Sequence, residues 1–293
     1  MKASSGWKEQ RSNTEMILHL IQHGAFIDTM DNQGLTPLCK AILSGNMETF
    51  NYLLDFGANI DHQHSTPFSP LLCACSVGKK EMFAQLILRK ANINSTGHGG
   101  ITPLIISCSR GDNGIVTELL RIQGVDVNAR LEKSGNTSLI IACSRGYEDI
   151  VQGLLNYNNP IVDVNFKNAS GWTALHVAAD AGKTSLVRLL LNHGAKVNVA
   201  NKNGWTALMF AVYKDDNDSC EILIKSGADL EASEKDGWTA LHMAVKGGSI
   251  SMTQLLISAG AKLDTKSLHG DTPLMIAKRY KRYDICELLM KCI

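Results

Sequence analysis

The sequence predicts an all-α fold, a solenoid of stacked helix pairs whose units are joined by β-hairpin turns. Three observations lead to this prediction. A short pattern of Gly, any residue, Thr, Pro or Ala, and Leu recurs along the chain, an apolar stripe with helical spacing follows each copy, and Gly-Ala usually closes the unit. One such unit is too small to bury its own apolar face. Neighbouring units are therefore expected to stack on one another and to share a continuous core.

The recurring pattern has a nearly constant spacing. Successive copies of its Thr or Ser are separated by 33, 33, 35, 36, 33, 33 and 33 residues. The positions concerned are Thr36, Ser69, Thr102, Thr137, Thr173, Thr206, Thr239 and Thr272. A fixed internal period of this length indicates a repeat array, which grows in one dimension, rather than two ordinary domains.

The residues of each unit predict its local structure in order. The Thr is a good N-cap, Pro suits the first helical turn, and the Leu that follows begins an apolar stripe. A Gly two residues before the Thr predicts a turn, and a second Gly, such as Gly45 or Gly248, predicts the end of the first helix. Each unit is thus expected to run turn, helix, turn, helix. Four of the six prolines occupy the first-turn position, namely Pro37, Pro70, Pro103 and Pro273.

This unit resembles the repeat of the ankyrin family, whose signature is Thr-Pro-Leu-His-x-Ala within about 33 residues. The resemblance covers nearly the whole chain. It implies a non-catalytic array that binds a protein partner along its hairpin tips and the inner face of its first helices. It also implies that the signature His, here His176 and His242, is a structural hydrogen-bonding residue.

The predicted organisation is a single array over residues 1–293, with an atypical segment at 1–12 and a partial repeat at 13–30. The full repeats are predicted at 31–63, 64–96, 97–130, 131–167, 168–200, 201–233, 234–266 and 267–293. Two departures from the pattern are expected to disturb it locally. Pro67-Phe68 replaces the usual Gly-x of a hairpin, and a longer exit from the second helix predicts an irregularity near residues 156–165.

Composition narrows the class of function. The balance of 29 Lys+Arg against 28 Asp+Glu disfavours nucleic acid or an anionic membrane as the partner. No apolar run approaches the ~20 residues that span a bilayer, and no apolar signal core opens the chain. The eight cysteines lie in helix-like apolar stretches, which favours a reducing compartment, the cytoplasm or alternatively the nucleus.

No catalytic constellation, metal-ligand cluster or cofactor motif stands out in the sequence. The chain is therefore expected not to be an enzyme, to need no cofactor, and to act as a monomeric scaffold or adaptor. A structural spacer or tether within a larger protein is the alternative, and an enzyme with an unrecognised site ranks below it. The basic, tyrosine-containing stretch 278–283 could contact RNA or phosphate, but a polar cap that solubilises the last repeat is favoured.

One asparagine is a candidate for modification. Members of the family that this repeat resembles are targets of asparaginyl hydroxylation at Asn in the pattern Leu-x5-Asp-Val-Asn. The segment from Leu120 to Asp126-Val127-Asn128 fits that pattern, so Asn128 is the predicted acceptor.

Three of the four tryptophans share one repeat position, immediately before the capping Thr. In the family that the repeat resembles, that position lies on the hairpin beside the recognition surface. The ends of the adjacent first helices would add mixed charge and a further aromatic ring, as protein interfaces require. The predicted partner-binding residues are Trp172, Trp205, Trp238, Asp180, Tyr213, Lys214 and Lys246. The competing interpretation is that each indole only packs against the neighbouring hairpin.

Overall fold

The computed structural model describes residues 15–17, 19–62, 68–158 and 161–292. The chain divides into two compact units, with the division between Glu132 and Lys133. The prediction of one array over residues 1–293 stays a prediction. The atypical segment at 1–12 and the position of Pro67 lie outside the described residues.

The first unit consists of short helices arranged in pairs. Residues 15–17 and 19–22 are helical and precede the first complete pair. A 3-10 turn at His98–Gly100 lies in the hairpin before the third pair. The helices of this unit are α1 (Pro37–Ser44), α2 (Met47–Asp55), α3 (Pro70–Val77), α4 (Lys80–Leu88), α5 (Pro103–Arg110) and α6 (Asn113–Arg121).

The second unit continues the same alternation. Within it, the first helices of adjacent pairs pack against one another, and so do the second helices. The helices are α7 (Ser138–Arg145), α8 (Glu148–Leu155), α9 (Ala174–Asp180), α10 (Thr184–Asn192), α11 (Ala207–Tyr213), α12 (Asn217–Lys225), α13 (Ala240–Gly247), α14 (Ile250–Ser258), α15 (Pro273–Arg279) and α16 (Tyr283–Cys292).

The first helices begin and end at the predicted residues. The side chain of Thr36 accepts a hydrogen bond from the backbone N–H of Cys39, and Thr206 accepts one from Met209 in the same way. These bonds satisfy amide groups that the first turn of a helix leaves without partners. Gly45 ends α1 with φ at 73°, in the left-handed region. The predicted order of turn, helix, turn and helix is thus confirmed.

The core repeats with the same period as the sequence. Leu190 of α10 is fully buried, and leucines one, two and three repeats further on are also buried. They are Leu223, Leu256 and Leu289. Because each pair of a repeat array packs only against its neighbours, stability depends on the interfaces between neighbouring pairs rather than on single helices. The placement of Leu190 in the core is confirmed.

The predicted β-hairpins are tight turns between one pair of helices and the next. We call the turns of the second unit at residues 168–172, 201–205, 234–238 and 267–271 fingers. In the second unit each fingertip is bonded to the next: Lys202 N–H donates to Ser170 O at 3.1 Å, and Lys235 N–H donates to Asn203 O at 3.1 Å. The close approach requires glycine at the tip. A Cβ at Gly171 would lie 2.9 Å from the backbone nitrogen of Lys202.

Two isolated bridges are found in the second unit. One joins Ser233 to Thr239, at a finger. The other joins Asn158 to Ile161 and lies where the sequence predicts a local irregularity, although residues 159 and 160 fall outside the described ranges.

The cysteines that share one repeat position are core residues. Cys75, Cys108 and Cys143 are fully buried, and none forms a disulfide. Burial raises the pKa of the Cys75 thiol to about 12 and raises the pKa of Cys143 as well. A buried thiol with a raised pKa is a weak nucleophile, so these side chains act as small apolar residues.

Candidate partner-binding surface

The three predicted tryptophans occupy equivalent places in three successive fingers. The backbone N–H of Trp172 donates to the side chain of Asn168 at 2.9 Å, and that of Trp205 donates to Asn201 at 3.0 Å. In the third finger Glu234 replaces the asparagine and accepts from Trp238 N–H at 3.2 Å. These bonds hold each indole at the base of its finger, next to the start of a first helix.

Two of the indoles belong to one aromatic cluster. The ring of Phe210, on α11, lies between the rings of Trp172 and Trp205, with centroid distances of 4.4 and 4.9 Å. Tyr213 packs against Trp205 edge-on at 5.8 Å, and 67% of its surface is exposed. Both tryptophans are half-buried. Each therefore packs against its neighbours and also presents part of its ring to solvent.

The third indole has a cation as its neighbour. The ammonium of Lys246, on α13, lies 4.9 Å from the ring centroid of Trp238 and 5.9 Å from that of Tyr280. An ammonium over an aromatic face is attracted by the ring quadrupole, by about 0.5–1 kcal/mol where the pair is exposed. Lys246 therefore lies beside the indole of Trp238.

The remaining two predicted residues neutralise each other. The Lys214 ammonium lies 3.3 Å from the Asp180 carboxylate, across adjacent first helices. Both side chains are 40% exposed, so this ion pair contributes little to stability. Lys214 also lies 5.9 Å from the Tyr213 ring centroid. We call the seven predicted residues, Trp172, Trp205, Trp238, Asp180, Tyr213, Lys214 and Lys246, the aromatic face.

A cavity of about 780 Å³ opens within the aromatic face, between the fingers of Trp205 and Trp238. Tyr213 and Lys246 also line this interfinger cavity, while Trp172, Asp180 and Lys214 lie outside its lining. Pockets that bind small ligands in proteins typically have volumes between about 300 and 1,000 Å³. The structure therefore provides a concave region bounded by two indoles.

The sequence did not place several residues of this surface there. Phe210 sits one position beyond Met209 in its repeat, where the neighbouring repeats carry Val177 and Met243. Aligning the repeats position by position would have revealed it as an aromatic exception. The carboxylates of Asp215 and Asp236 and the guanidinium of Arg282 also line the cavity. Each comes from a different repeat, so no local motif links them.

The signature histidines join neighbouring repeats. Nδ1 of His176 accepts from Thr173 N–H at 3.0 Å, and its Nε2 donates to Trp205 O at 3.1 Å. His242 makes the equivalent bonds to Thr239 and to Asp271 O. Burial lowers the pKa of His176 to about 4 and also lowers the pKa of His242. Both rings are therefore neutral and join neighbouring repeats by hydrogen bonds, as the family resemblance implies.

The basic stretch 278–283 is partly used by the fold itself. Arg279 binds the Asp271 carboxylate through two hydrogen bonds of 2.7 and 2.5 Å, and this guanidinium lowers the pKa of Asp271. Arg282 donates to the carbonyl groups of Lys246 and Gly247. Arg279 thus stabilises the last repeat internally, and Arg282 joins it to the preceding repeat. Both contacts suit the capping role favoured for this stretch.

Asn128, the predicted hydroxylation acceptor, lies in a turn after α6. It is half-buried, and its backbone N–H donates to the side chain of Asp126 at 3.0 Å. The asparagine in a similar turn of another repeat joins neighbouring repeats by hydrogen bonds. Asn165 donates to Gly194 O and accepts from Lys196 N–H. Hydroxylation of Asn128 stays a prediction.

These features define a class, a helical repeat protein with short first helices, projecting fingers and a concave aromatic surface beside them. A family model described as ankyrin repeats in three copies matches residues 7–64, 71–165, 158–234 and 230–292. The chain belongs to the ankyrin-repeat family. Ankyrin repeats are generally protein-interaction modules and typically lack catalytic activity.

A curated relative shares a short stretch with this chain. Delta-latroinsectotoxin-Lt1a from Latrodectus tredecimguttatus is 49% identical over 39 residues, which is 13% of this chain. The chain spans about 3% of the length of that protein. The similarity thus extends over little more than one repeat. Every helix in the described ranges falls short of the length and apolar content that a bilayer crossing requires.

Proposed function

We propose that the chain is a non-catalytic adaptor or scaffold that binds a protein partner through its aromatic face, in a reducing compartment such as the cytoplasm or nucleus. The observation that supports this most directly is the combination of half-buried indoles with the exposed ring of Tyr213 around one cavity. Such rings already hold a fixed conformation, so little side-chain entropy is lost when a partner covers them.

The energetic pattern expected at this surface follows from its composition. Aromatic anchors near the centre of an interface carry most of the binding energy, while exposed ion pairs at the rim carry little. Trp205 occupies the central place because it borders both the Phe210 cluster and the interfinger cavity. The Asp180–Lys214 pair would lie at the rim and contribute to orientation rather than affinity.

The test is quantitative affinity purification of the full chain from its native cell, with partners measured by mass spectrometry for four proteins. They are the wild type, Trp205→Ala, Tyr213→Ala and the control Tyr283→Ala. Trp205→Ala is expected to weaken binding by about 2 kcal/mol or more, which is roughly thirty-fold. Tyr213→Ala is expected to reduce it by about five-fold or more, with no loss of stability because the ring is exposed.

Tyr283→Ala is the matched control. Tyr283 is also an exposed tyrosine of the second unit, with 73% of its surface accessible, but it begins the second helix α16 and does not line the cavity. Its removal is expected to leave partner recovery unchanged. Normal recovery with both Trp205→Ala and Tyr213→Ala would move the binding site elsewhere and favour a spacer or tether.

A further inference from the structure

The geometry points to a defined ligand for the interfinger cavity, an arginine side chain of the partner. This inference rests on the proposed function, because it specifies the chemistry that the aromatic face recognises. It follows from three features of the cavity. Its walls are aromatic, two of its carboxylates have no bonding partner among the described residues, and its basic residues contact rings and carbonyl groups.

The walls suit a flat cation. The rings of Trp205, Tyr213 and Trp238 line the cavity, and its volume of about 780 Å³ exceeds that of a single side chain. A guanidinium group is planar and weakly hydrated, so it stacks on aromatic faces while its aliphatic stem packs against the same rings. The position of Lys246 over Trp238 shows that a cation is accommodated against one of these indoles.

The carboxylates of the cavity supply the complementary charge. Asp215 and Asp236 are exposed and line the cavity, and neither carboxylate has a hydrogen bond or ion pair with a described residue. Glu234 lines the same cavity, and one of its oxygens accepts from the backbone N–H groups of Asp236 and Trp238. The Glu234 charge is thereby held in place beside the indole.

Asp215 has an unusual backbone. Its φ is 56°, in the left-handed region, and Lys281 at the same place of the last repeat has the same φ. The equivalent residue of the preceding repeat is Gly182, and that of the following repeat is Gly248. Asp215 therefore adds a carboxylate to the lining of the cavity at a place where the two neighbouring repeats have glycine.

The described contacts of the two basic residues of the lining are with rings and carbonyl groups rather than with these carboxylates. The Lys246 ammonium lies over the rings of Trp238 and Tyr280, at 4.9 and 5.9 Å from their centroids. Arg282 donates to the carbonyl groups of Lys246 and Gly247. The Asp, Glu, Lys and Arg residues of the lining provide three carboxylates and two cations, so a ligand with positive charge is favoured over one with negative charge.

The test is an NMR titration of the full-length chain with N-acetyl-arginine amide, read from the indole N–H signals. Trp172→Phe, Trp205→Phe and Trp238→Phe variants assign those signals. The arginine compound is expected to shift the Trp205 and Trp238 signals saturably in the millimolar range and to leave Trp172 unshifted. N-acetyl-citrulline amide has the same shape without the charge, and it is expected to shift none of them.

A charge variant completes the experiment. The double variant Asp215→Asn/Asp236→Asn is expected to weaken arginine binding at least three-fold, while the control Asp264→Asn, which changes an exposed carboxylate outside the lining, leaves it unchanged. Equal shifts with citrulline, no shift with arginine, or no effect of the double variant would each overturn the inference.

The result separates this inference from the proposed function. If the arginine compound fails to bind while Tyr213→Ala still reduces partner recovery, the aromatic face remains the proposed binding surface and the arginine subsite is wrong. If the compound binds but Trp205→Ala and Tyr213→Ala recover the partner normally, the cavity binds arginine, but both the proposed interaction surface and the assignment of that arginine to the partner are wrong.

Discussion

Replacing His176 by Gln should remove a large part of the pH dependence of folding stability. The imidazole is 1% exposed and bridges two repeats, since it accepts from Thr173 N–H and donates to Trp205 O. Protonation of Nδ1 would eliminate the acceptor of the first bond and place a charge in the core. The folded protein therefore favours the neutral ring, which is why burial lowers the pKa of His176 to about 4.

The size of the effect follows from linkage. An unfolded histidine has a pKa of about 6.5, so the unfolded chain takes up a proton at this residue before the folded chain does. The stability that His176 contributes is fully present above about pH 6.5 and is lost as the pH falls towards 4. Between about pH 7.5 and 5, the expected loss is about 2 kcal/mol, at 1.36 kcal/mol for each pKa unit.

The assay compares urea unfolding of the wild type and His176→Gln at pH 7.5 and pH 5.0. The variant is expected to be less stable at pH 7.5, because a buried interrepeat bond is weakened, but to lose about 2 kcal/mol less than the wild type on acidification. His193→Gln, at an exposed histidine, is the control and should retain the wild-type pH dependence. An NMR titration that places the His176 pKa near 6.5 would refute the reasoning.

Three further predictions concern stability and modification. Leu190→Ala truncates a fully buried core side chain and should lower the free energy of unfolding by roughly 2–5 kcal/mol, and a loss below about 1 kcal/mol in urea denaturation would contradict the repeat register. Asp215→Gly relieves a φ of 56° and should raise the free energy of unfolding by about 0.5–1 kcal/mol, whereas a lower urea midpoint would show that the strain is absent. Incubation with an asparaginyl hydroxylase should add one oxygen to Asn128, and a peptide mass that stays unchanged would eliminate the modification.

The fold was predictable because its determinants are local and recur. A capping Thr, a first-turn Pro and a Gly that tolerates left-handed φ act within a few residues, and each of them recurs with the period of the array. The buried position of Leu190 follows from the same register. The bridge between Asn158 and Ile161 was foreseen only as an irregularity near residues 156–165, since the length of an exit does not specify its backbone pairing.

The candidate site was predictable only in part. Equivalent repeat positions brought Trp205 and Trp238 together, because identical positions in adjacent fingers are close in space. The insertion of Phe210 between two indoles and the pairing of Asp180 with Lys214 depend on side-chain packing between repeats. The sequence of one repeat contains no sign of that packing.

Site-specific photocrosslinking tests the central claim most directly. A benzophenone amino acid is placed at position 213, on the aromatic face, or at position 283 as the control, and each full-length protein is irradiated in its native cell. The account predicts that position 213 yields a covalent adduct with a partner protein, that position 283 does not, and that adding Trp205→Ala removes the adduct. Equal adducts from both positions, or an adduct that persists with Trp205→Ala, would contradict it.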